Sequence, residues 1–228
     1  MKKSVLISII IFCVLLADQA LKFWVKTNMY YGERIKILGL EWAQLHFIEN
    51  PGMAFGIEFG GDNGKLILSI FRIVVICILI YILAKMVKSK EPFGLVICFG
   101  LIIAGAIGNI LDSAFYGLIF SASLTHGRNI AEFMPADGGY TTFLHGKVVD
   151  MFYFPLIDTR WPDWVPIVGG EALRFFRPVF NLADTSISVG VASILIFHRK
   201  YFKAEAKDVG NKKEVGNKNT VLGRDEEE

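Results

Sequence analysis

The stretch FGLVICFGLIIAGAIGNIL, residues Phe93–Leu111, decides the fold because it carries no charged side chain in 19 positions. A helix needs about 20 apolar residues to cross the hydrocarbon core of a bilayer. Three further apolar runs, at about 4–24, 66–84 and 179–197, hold few charged residues. The sequence therefore predicts four transmembrane helices, each of which satisfies its backbone hydrogen bonds internally.

The composition agrees with a membrane protein. The chain has 228 residues, of which 53% are hydrophobic, a mean hydropathy of +0.46 and a net charge of +2. These values exclude a disordered chain, a disulfide scaffold and a nucleic-acid binder driven by net charge. Cys13, Cys77 and Cys98 lie inside apolar runs, and we interpret them as reduced, small hydrophobic side chains.

The first apolar run resembles a cleaved signal peptide in one respect, since Lys2 and Lys3 precede its apolar core. No A-x-A cleavage pattern follows Leu16, and Cys13 follows Phe12 rather than the residues of a lipidation box. We therefore expect a retained helix in the mature protein.

Basic residues indicate the orientation of the four helices. They cluster at the helix ends that share one side of the membrane: Lys2, Lys3, Lys85, Lys88, Lys90, Arg199, Lys200 and Lys203. The positive-inside rule predicts that this side and both termini are cytoplasmic. The segments at about 25–65 and 112–178 then lie on the outer side, and the first contains short β-like pieces broken by Gly and Pro.

Polar side chains gather near the predicted outer ends of the helices. They are Asp18 and Lys22 in the first run, Asn109 and Asp112 at the end of the third, Asn181 and Asp184 in the fourth, and Asn50 and Asp150 in the outer segments. An acidic residue inside a span is costly unless it faces the bundle or water. Asp18 with Lys22 also fits a structural ion pair, and Asp112 also fits a helix cap. Asp184 favours a function, and Asp150 leaves both interpretations open.

Two carboxylates within about 3–6 Å of each other share a proton, so that one serves as base and the other as acid. Such a pair hydrolyses peptide bonds in aspartic proteases. Whether Asp150 and Asp184 meet is not visible in the sequence. The four His show no zinc-ligand spacing, and no Ser stands in a Gly-x-Ser-x-Gly setting.

Two other classes of protein remain open on these residues. A cation-binding or ion-coupled membrane transporter would use the Asp and Asn cluster, since hard cations prefer oxygen ligands. A structural assembly subunit would use the small-residue stripe of Gly100, Ala104 and Gly108 to pack against partner helices.

Five segments, taken in order, resemble those of the lipoprotein signal peptidase family, the type II signal peptidases of bacteria. They are DQALK at 18–22, NPGMAFG at 50–56, GAIGNILD at 105–112, VVDMF at 148–152 and FNLAD at 180–184. The resemblance implies an aspartic endopeptidase of the bacterial cytoplasmic (inner) membrane. It would remove signal peptides from diacylglyceryl-modified prolipoproteins, cleaving before the lipidated Cys at the outer face. The catalytic pair would be Asp150 and Asp184, without metal or cofactor.

The same resemblance implies a substrate pocket shaped by the other matching positions: Asp18, Lys22, Asn50, Gly52, Asn109, Asp112, Asn181 and Ala183. It implies an all-α membrane core with four transmembrane helices, a small periplasmic β-rich cradle at about 35–59 and an extended periplasmic segment. This peptidase domain would cover 1–202 and precede a disordered, charged cytoplasmic tail at 203–228. The expected partners are diacylglyceryl prolipoproteins, membrane lipids and globomycin-type inhibitors. We expect a monomer that binds no nucleic acid.

Two features depart from the family pattern. Ser113 stands where many members carry Arg, which leaves the polar partner of Asp112 in question. The outer segments 114–147 and 154–178 are longer than the common pattern, and they would form an added lid or docking surface.

Overall fold

The structure, a computed structural model, describes residues 2–51, 61–89, 91–155, 157–175 and 178–199. Some of the predicted features lie outside these described residues. They are Gly52, most of the second half of the expected cradle, Lys90, Lys200 and the charged tail at 203–228.

Apolar helices form the body of the protein. In chain order they are α1 (Lys3–Asn28), α2 (Gly61–Lys88), α3 (Phe93–Leu111), the short α4 (Gly117–Ile119) and α5 (Leu182–Phe197), with a π-helical turn at Asp112–Tyr116 between α3 and α4. Among the described residues, three helices are long and apolar enough to cross a membrane: α1, α2 and α3 with its extension to Ile119. The 16-residue α5 is apolar but shorter.

The observed helix bounds differ from the predicted ones at several ends. α1 and α2 both extend beyond the predicted runs 4–24 and 66–84, whereas α3 spans the predicted residues. α5 begins at Leu182 rather than at 179 because Val179 and Phe180 pair with a strand instead. Asn181 then caps the helix, so the backbone becomes helical only after it.

α3 is the central helix, since it packs against α1, α2 and α5. The outward faces of the helices expose large apolar side chains, among them Phe12, Phe71 and Leu195. Only 11% of the most apolar window of α1 and 17% of that of α2 are buried within the protein. An apolar surface of this extent is stable against lipid rather than against water.

A four-stranded antiparallel sheet covers one end of the helices. Its order is β1 (Arg34–Lys36), β2 (Gln44–Asn50), β3 (Val148–Tyr153) and β6 (Val179–Phe180). A separate two-stranded hairpin consists of β4 (Ile157–Arg160) and β5 (Ala172–Phe175). β1 and β2 lie in the region where the sequence shows β-like pieces, whereas β3 is a strand that the sequence reasoning did not anticipate.

The alternation of side chains along β3 decides which of them reach the core. Val149 and Met151 join a buried cluster with Phe47 of β2 and Val25 of α1. Successive residues of a strand point to opposite faces, so Asp150 and its cross-strand partner Ile48 share the other face. The core therefore fixes the sheet on the end of α1 and directs Asp150 away from it.

Candidate active site

The first turn of α5 orients Asp184. The Asn181 side chain accepts a hydrogen bond from the Asp184 backbone N–H at 2.8 Å, and Asp184 Oδ2 accepts one from the Asn181 N–H at 3.4 Å. This reciprocal capping box satisfies two free donors at the helix start. The helix dipole favours negative charge at this end of α5.

Two side-chain amides link Asp184 with Asp150. The Asn109 Nδ2 on α3 donates to Asp184 Oδ1 at 2.7 Å. The Asn181 Nδ2 donates to Asp150 Oδ1 at 2.7 Å and contacts Asn109 Oδ1 at 3.1 Å. These contacts form one continuous chain, in which the side-chain amides of Asn181 and Asn109 bridge the carboxylates of Asp150 and Asp184.

The two carboxylates have different surroundings. Asp150 is 5% exposed, whereas Asp184 is half-buried. Burial, and next the negative charge of Asp184, raise the pKa of Asp150 to about 7. Near neutral pH the Asp150 carboxyl can therefore hold a proton.

Lys22 on α1 contacts three polar side chains of the site. Its ammonium lies 2.9 Å from Asp18 Oδ2, 2.8 Å from Asp112 Oδ2 and 3.0 Å from Asn109 Oδ1. The Lys22, Asp18 and Asp112 side chains are buried, and such a group of charges is stable only when its members are paired. Because Lys22 can only donate, it requires the carbonyl oxygen of Asn109, and the Asn109 NH₂ group then faces Asp184.

Asp18 connects α5 to Lys22, and Asp112 connects β3 to Lys22. Asp18 Oδ1 accepts the backbone N–H of Ala183 at 2.8 Å, in the first turn of α5. Asp112 Oδ2 accepts the N–H of Val149 at 3.2 Å, next to Asp150 on β3. The structural ion pair considered for Asp18 and Lys22 is therefore present, and it also holds the elements that carry the two candidate acids.

Small residues allow these elements to approach closely. Ala183 is fully buried against α3. A side-chain carbon at Gly108 would lie 2.7 Å from Asp18 Oδ2, and one at Gly105 would lie 2.2 Å from the Ala183 carbonyl oxygen. The small-residue stripe of α3 thus packs within the protein, against α1 and α5.

One polar residue of the site, Gln19, was missed by the sequence reasoning. Gln19 donates to Asp112 at 2.9 Å and to Asp18 at 3.1 Å, so Asp112 is paired although Ser113 stands in the neighbouring position. The Ser113 hydroxyl instead donates to the backbone carbonyl oxygen of Asn109 at 3.2 Å. Arg72 of α2 interacts electrostatically with Asp184. Only the position of Gln19 beside Asp18 in the DQALK segment pointed to it.

Of the two remaining predicted pocket residues, the sheet places one, and the other is not among the described residues. Asn50 ends β2, where it pairs with Val148, and it shares the Asp150 face of the sheet. Gly52 lies outside the described residues. Within the described part of the chain, no group of three or more His, Cys, Asp or Glu could hold a metal ion.

Comparisons with known proteins agree on one family. A family model described as signal peptidase (SPase) II matches residues 10–200. A lipoprotein signal peptidase of Porphyromonas gingivalis is 52% identical over 191 residues, which are 83% of this chain and 81% of the relative. One of Amoebophilus asiaticus is 42% identical over 187 residues, 80% of this chain and 72% of the relative.

A solved structure supports the architecture. It is a bacterial membrane enzyme determined by the in meso method at 1.9 Å resolution, and it matches with a TM-score of 0.54. The match covers 86% of this chain and 93% of the solved one at 23% identity, so it bears on the fold alone. Together with the apolar helices, it supports a multi-pass membrane protein.

Proposed function

The chain belongs to the signal peptidase II family, and we propose that it removes signal peptides from prolipoproteins with Asp150 and Asp184 as an aspartic catalytic pair. The family confirms the resemblance carried by the five sequence segments. It supports a peptidase and gives no support to the alternative of a cation-binding or ion-coupled transporter. The observation that carries the choice of residues is the bridge of two amides, Asn181 and Asn109, between the two carboxylates.

The hydrogen bonds favour different catalytic roles for the two acids. Asp184, which accepts two N–H donors at a helix start, serves as the base that takes a proton from water. The water oxygen attacks the carbonyl carbon of the scissile peptide, while protonated Asp150 gives its proton to the carbonyl oxygen. When the carbon–nitrogen bond breaks, the proton held by Asp184 passes to the leaving amine, and the hydroxyl proton returns to Asp150.

The other predicted pocket residues have supporting roles in this proposal. Lys22, Asp18 and Asp112 hold α5 and β3 together, and Asn109 and Asn181 orient the two acids. Asn50 and Ala183 shape the space in which the substrate lies, and Gly52 is expected to do the same. We expect globomycin-type inhibitors to occupy this space as well.

The position of the pair near the helix ends suits a lipidated substrate. A diacylglyceryl group leaves the bilayer only at a cost of about 0.8 kcal/mol for each methylene exposed to water. An acid pair at the membrane surface reaches the bond before the modified Cys while the acyl chains stay in lipid. We infer from the basic clusters that this surface is the periplasmic face of the inner membrane and that both termini are cytoplasmic.

The decisive experiment replaces each acid by its amide. Purified full-length Asp150→Asn and Asp184→Asn variants should each cleave a diacylglyceryl prolipoprotein at least about a thousandfold more slowly than the wild type. Glu41→Gln, at an exposed carboxylate distant in sequence from the pair, is the matched control and should cleave normally. Addition of a chelator should leave the wild-type rate unchanged. Near-normal cleavage by either folded variant would refute the assignment.

A further inference from the structure

β2 carries a charged side chain on its core-facing side. Glu49 is 6% exposed and lies on the same face of the strand as fully buried Phe47. Lys26, fully buried near the end of α1, forms an ion pair with Glu49 Oε1. The Ser123 hydroxyl lies 3.1 Å from both Lys26 Nζ and Glu49 Oε1. We call these three residues the Lys26 cluster, and it shares no residue with the site around Lys22.

The extra outer segment closes the Lys26 cluster. Besides Ser123, it contributes the rings of Phe120 and Tyr140, whose centroids lie 5.3 and 5.1 Å from Lys26 Nζ. Lys147 Nζ lies 3.7 Å from the second Glu49 oxygen, and the Lys147 N–H donates to the Tyr140 hydroxyl at 2.7 Å. Segment 114–147, for which the sequence suggests a lid or docking surface, is therefore held against α1 and β2 by polar contacts, of which those of Ser123 are buried.

The cluster lies next to an irregularity in the pairing of β2 with β3. The pairing of β2 with β3 shifts between Leu45 and Ile48, and after this irregularity Ile48 pairs with Asp150 and Glu49 with Val149. Bulges of this kind redirect side chains near active sites. A slip of one residue along β3 would turn Asp150 toward the apolar core, since neighbouring residues face opposite sides.

We propose that the Lys26 cluster positions Asp150 by fixing the register of β2 against β3. With Glu49 paired to Lys26 and Ser123, β2 cannot turn its core face outward without leaving the buried Lys26 ammonium unpaired, and a buried polar group can specify register in this way. Glu49, Lys26 and Ser123 are thus positioning residues. The inference rests on the proposed function, since it assumes that Asp150 is catalytic.

The test separates positioning from stability. In Glu49→Gln, kcat for a diacylglyceryl prolipoprotein should fall at least about tenfold with KM within about twofold, because small misplacements of a catalytic group act on the chemical step. The paired variant Lys26→Met/Glu49→Leu removes both charges and fills their space. It should regain the wild-type unfolding temperature without regaining kcat. The exposed ion pair Lys36–Glu41 offers the matched control, since Lys36→Met/Glu41→Leu should change neither value.

Each outcome decides the question. A paired variant with wild-type kcat would show that the cluster only stabilises the fold and would overturn the proposal, as would a Glu49→Gln variant that changes KM alone. If Glu49→Gln does not fold, Ser123→Ala takes its place, with a loss of kcat expected and its restoration in Ser123→Thr. Near-normal cleavage by Asp150→Asn would instead mark a failure of the proposed function.

Discussion

At the scale of single residues, the site is a chain of hydrogen-bond donors and acceptors, and each partner fixes the orientation of the next side chain. Lys22 can only donate, so it selects the carbonyl oxygen of Asn109, and the Asn109 NH₂ group is left for Asp184. The Asn181 NH₂ group donates a hydrogen bond to Asp150. Neither acid touches Lys22, yet the lysine determines which atom of the amide faces Asp184. Replacing Lys22 would therefore disturb the acid pair as well as Asp18 and Asp112.

The raised pKa of Asp150 predicts a stability difference that depends on pH. Folding raises this pKa from 3.8 to about 7, so the folded state holds the proton more tightly than the unfolded chain. The stabilisation is complete below about pH 4 and is lost as the pH rises through about 7. Asp150→Asn cannot ionise, and at pH 8 it should be more stable than the wild type by up to about 4 kcal/mol.

Thermal unfolding in detergent at two pH values measures this difference. The Asp150→Asn variant should unfold at a higher temperature than the wild type at pH 8, and the gap should close near pH 4. A variant less stable than the wild type at both pH values would show that Asp150 is not a buried acid held in an unfavourable ionised state.

At the scale of helices and strands, the close contact of α3 with α5 decides where Asp184 lies. Ala183, which precedes Asp184, packs so tightly on α3 that a side-chain carbon at Gly105 would overlap its carbonyl oxygen. The Asp18 carboxylate holds the Ala183 N–H from the α1 side. α5 is therefore fixed by backbone contacts on both sides of its first turn.

Gly105→Ala should displace the first turn of α5. Its added carbon would lie 2.2 Å from the Ala183 oxygen and 2.7 Å from Ile187 Cγ1, and backbone atoms cannot yield as side chains do. Overpacking of this kind costs about 1–3 kcal/mol. We expect a lower unfolding temperature and at least about a tenfold loss of prolipoprotein cleavage.

Gly100→Ala on the same helix is the matched control. Its nearest new contact, to Ile7 Cγ2 at 3.5 Å, is an ordinary van der Waals distance. This variant should keep the wild-type unfolding temperature and cleavage rate. Equal losses in the two variants would contradict the assignment of the effect to the contact with Ala183, because helix propensity alone favours Ala over Gly.

Hydropathy predicted the helices better than the strands. A run without charges such as Phe93–Leu111 requires a membrane helix, and α3 spans the same residues. The start of α5 was placed three residues early, because strand pairing of Val179 with Tyr153 depends on a distant segment. β3 was missed for the same reason, since its partner β2 lies about a hundred residues earlier.

The site was only partly visible in the sequence. Spacing alone paired Asp18 with Lys22 and Asn181 with Asp184, because these are neighbours on one helix. The link between Asp150 and Asp184 requires the sheet to meet α5, and no local pattern encodes that contact. Lys26 and Glu49 were missed because charged residues on a helix or a short strand are usually solvated.

At the scale of the whole molecule, the exposed apolar helix surfaces and the basic clusters define how the protein lies in a membrane. Lys85 and Lys88 end α2, whereas the sheet covers the opposite ends of the helices. Glu41 in the β1–β2 turn and Ser89 after α2 are both exposed. They mark the two sides that the positive-inside rule distinguishes.

Labelling from outside the cell tests this orientation. In a chain with Cys13, Cys77 and Cys98 replaced by Ala, Glu41→Cys should react with a membrane-impermeant maleimide once the outer membrane is opened. Ser89→Cys should react only after the inner membrane is also permeabilised. The reverse pattern would contradict a periplasmic site and cytoplasmic termini.

The central claim is that Asp150 and Asp184 act together on one peptide bond. A structure with a prolipoprotein peptide whose scissile carbonyl is replaced by a hydroxymethylene group tests it most directly. That hydroxyl mimics the tetrahedral intermediate, and we predict that its oxygen lies within about 3 Å of an oxygen of each carboxylate. A peptide bound with its hydroxyl beside neither aspartate, or beside only one, would contradict the account.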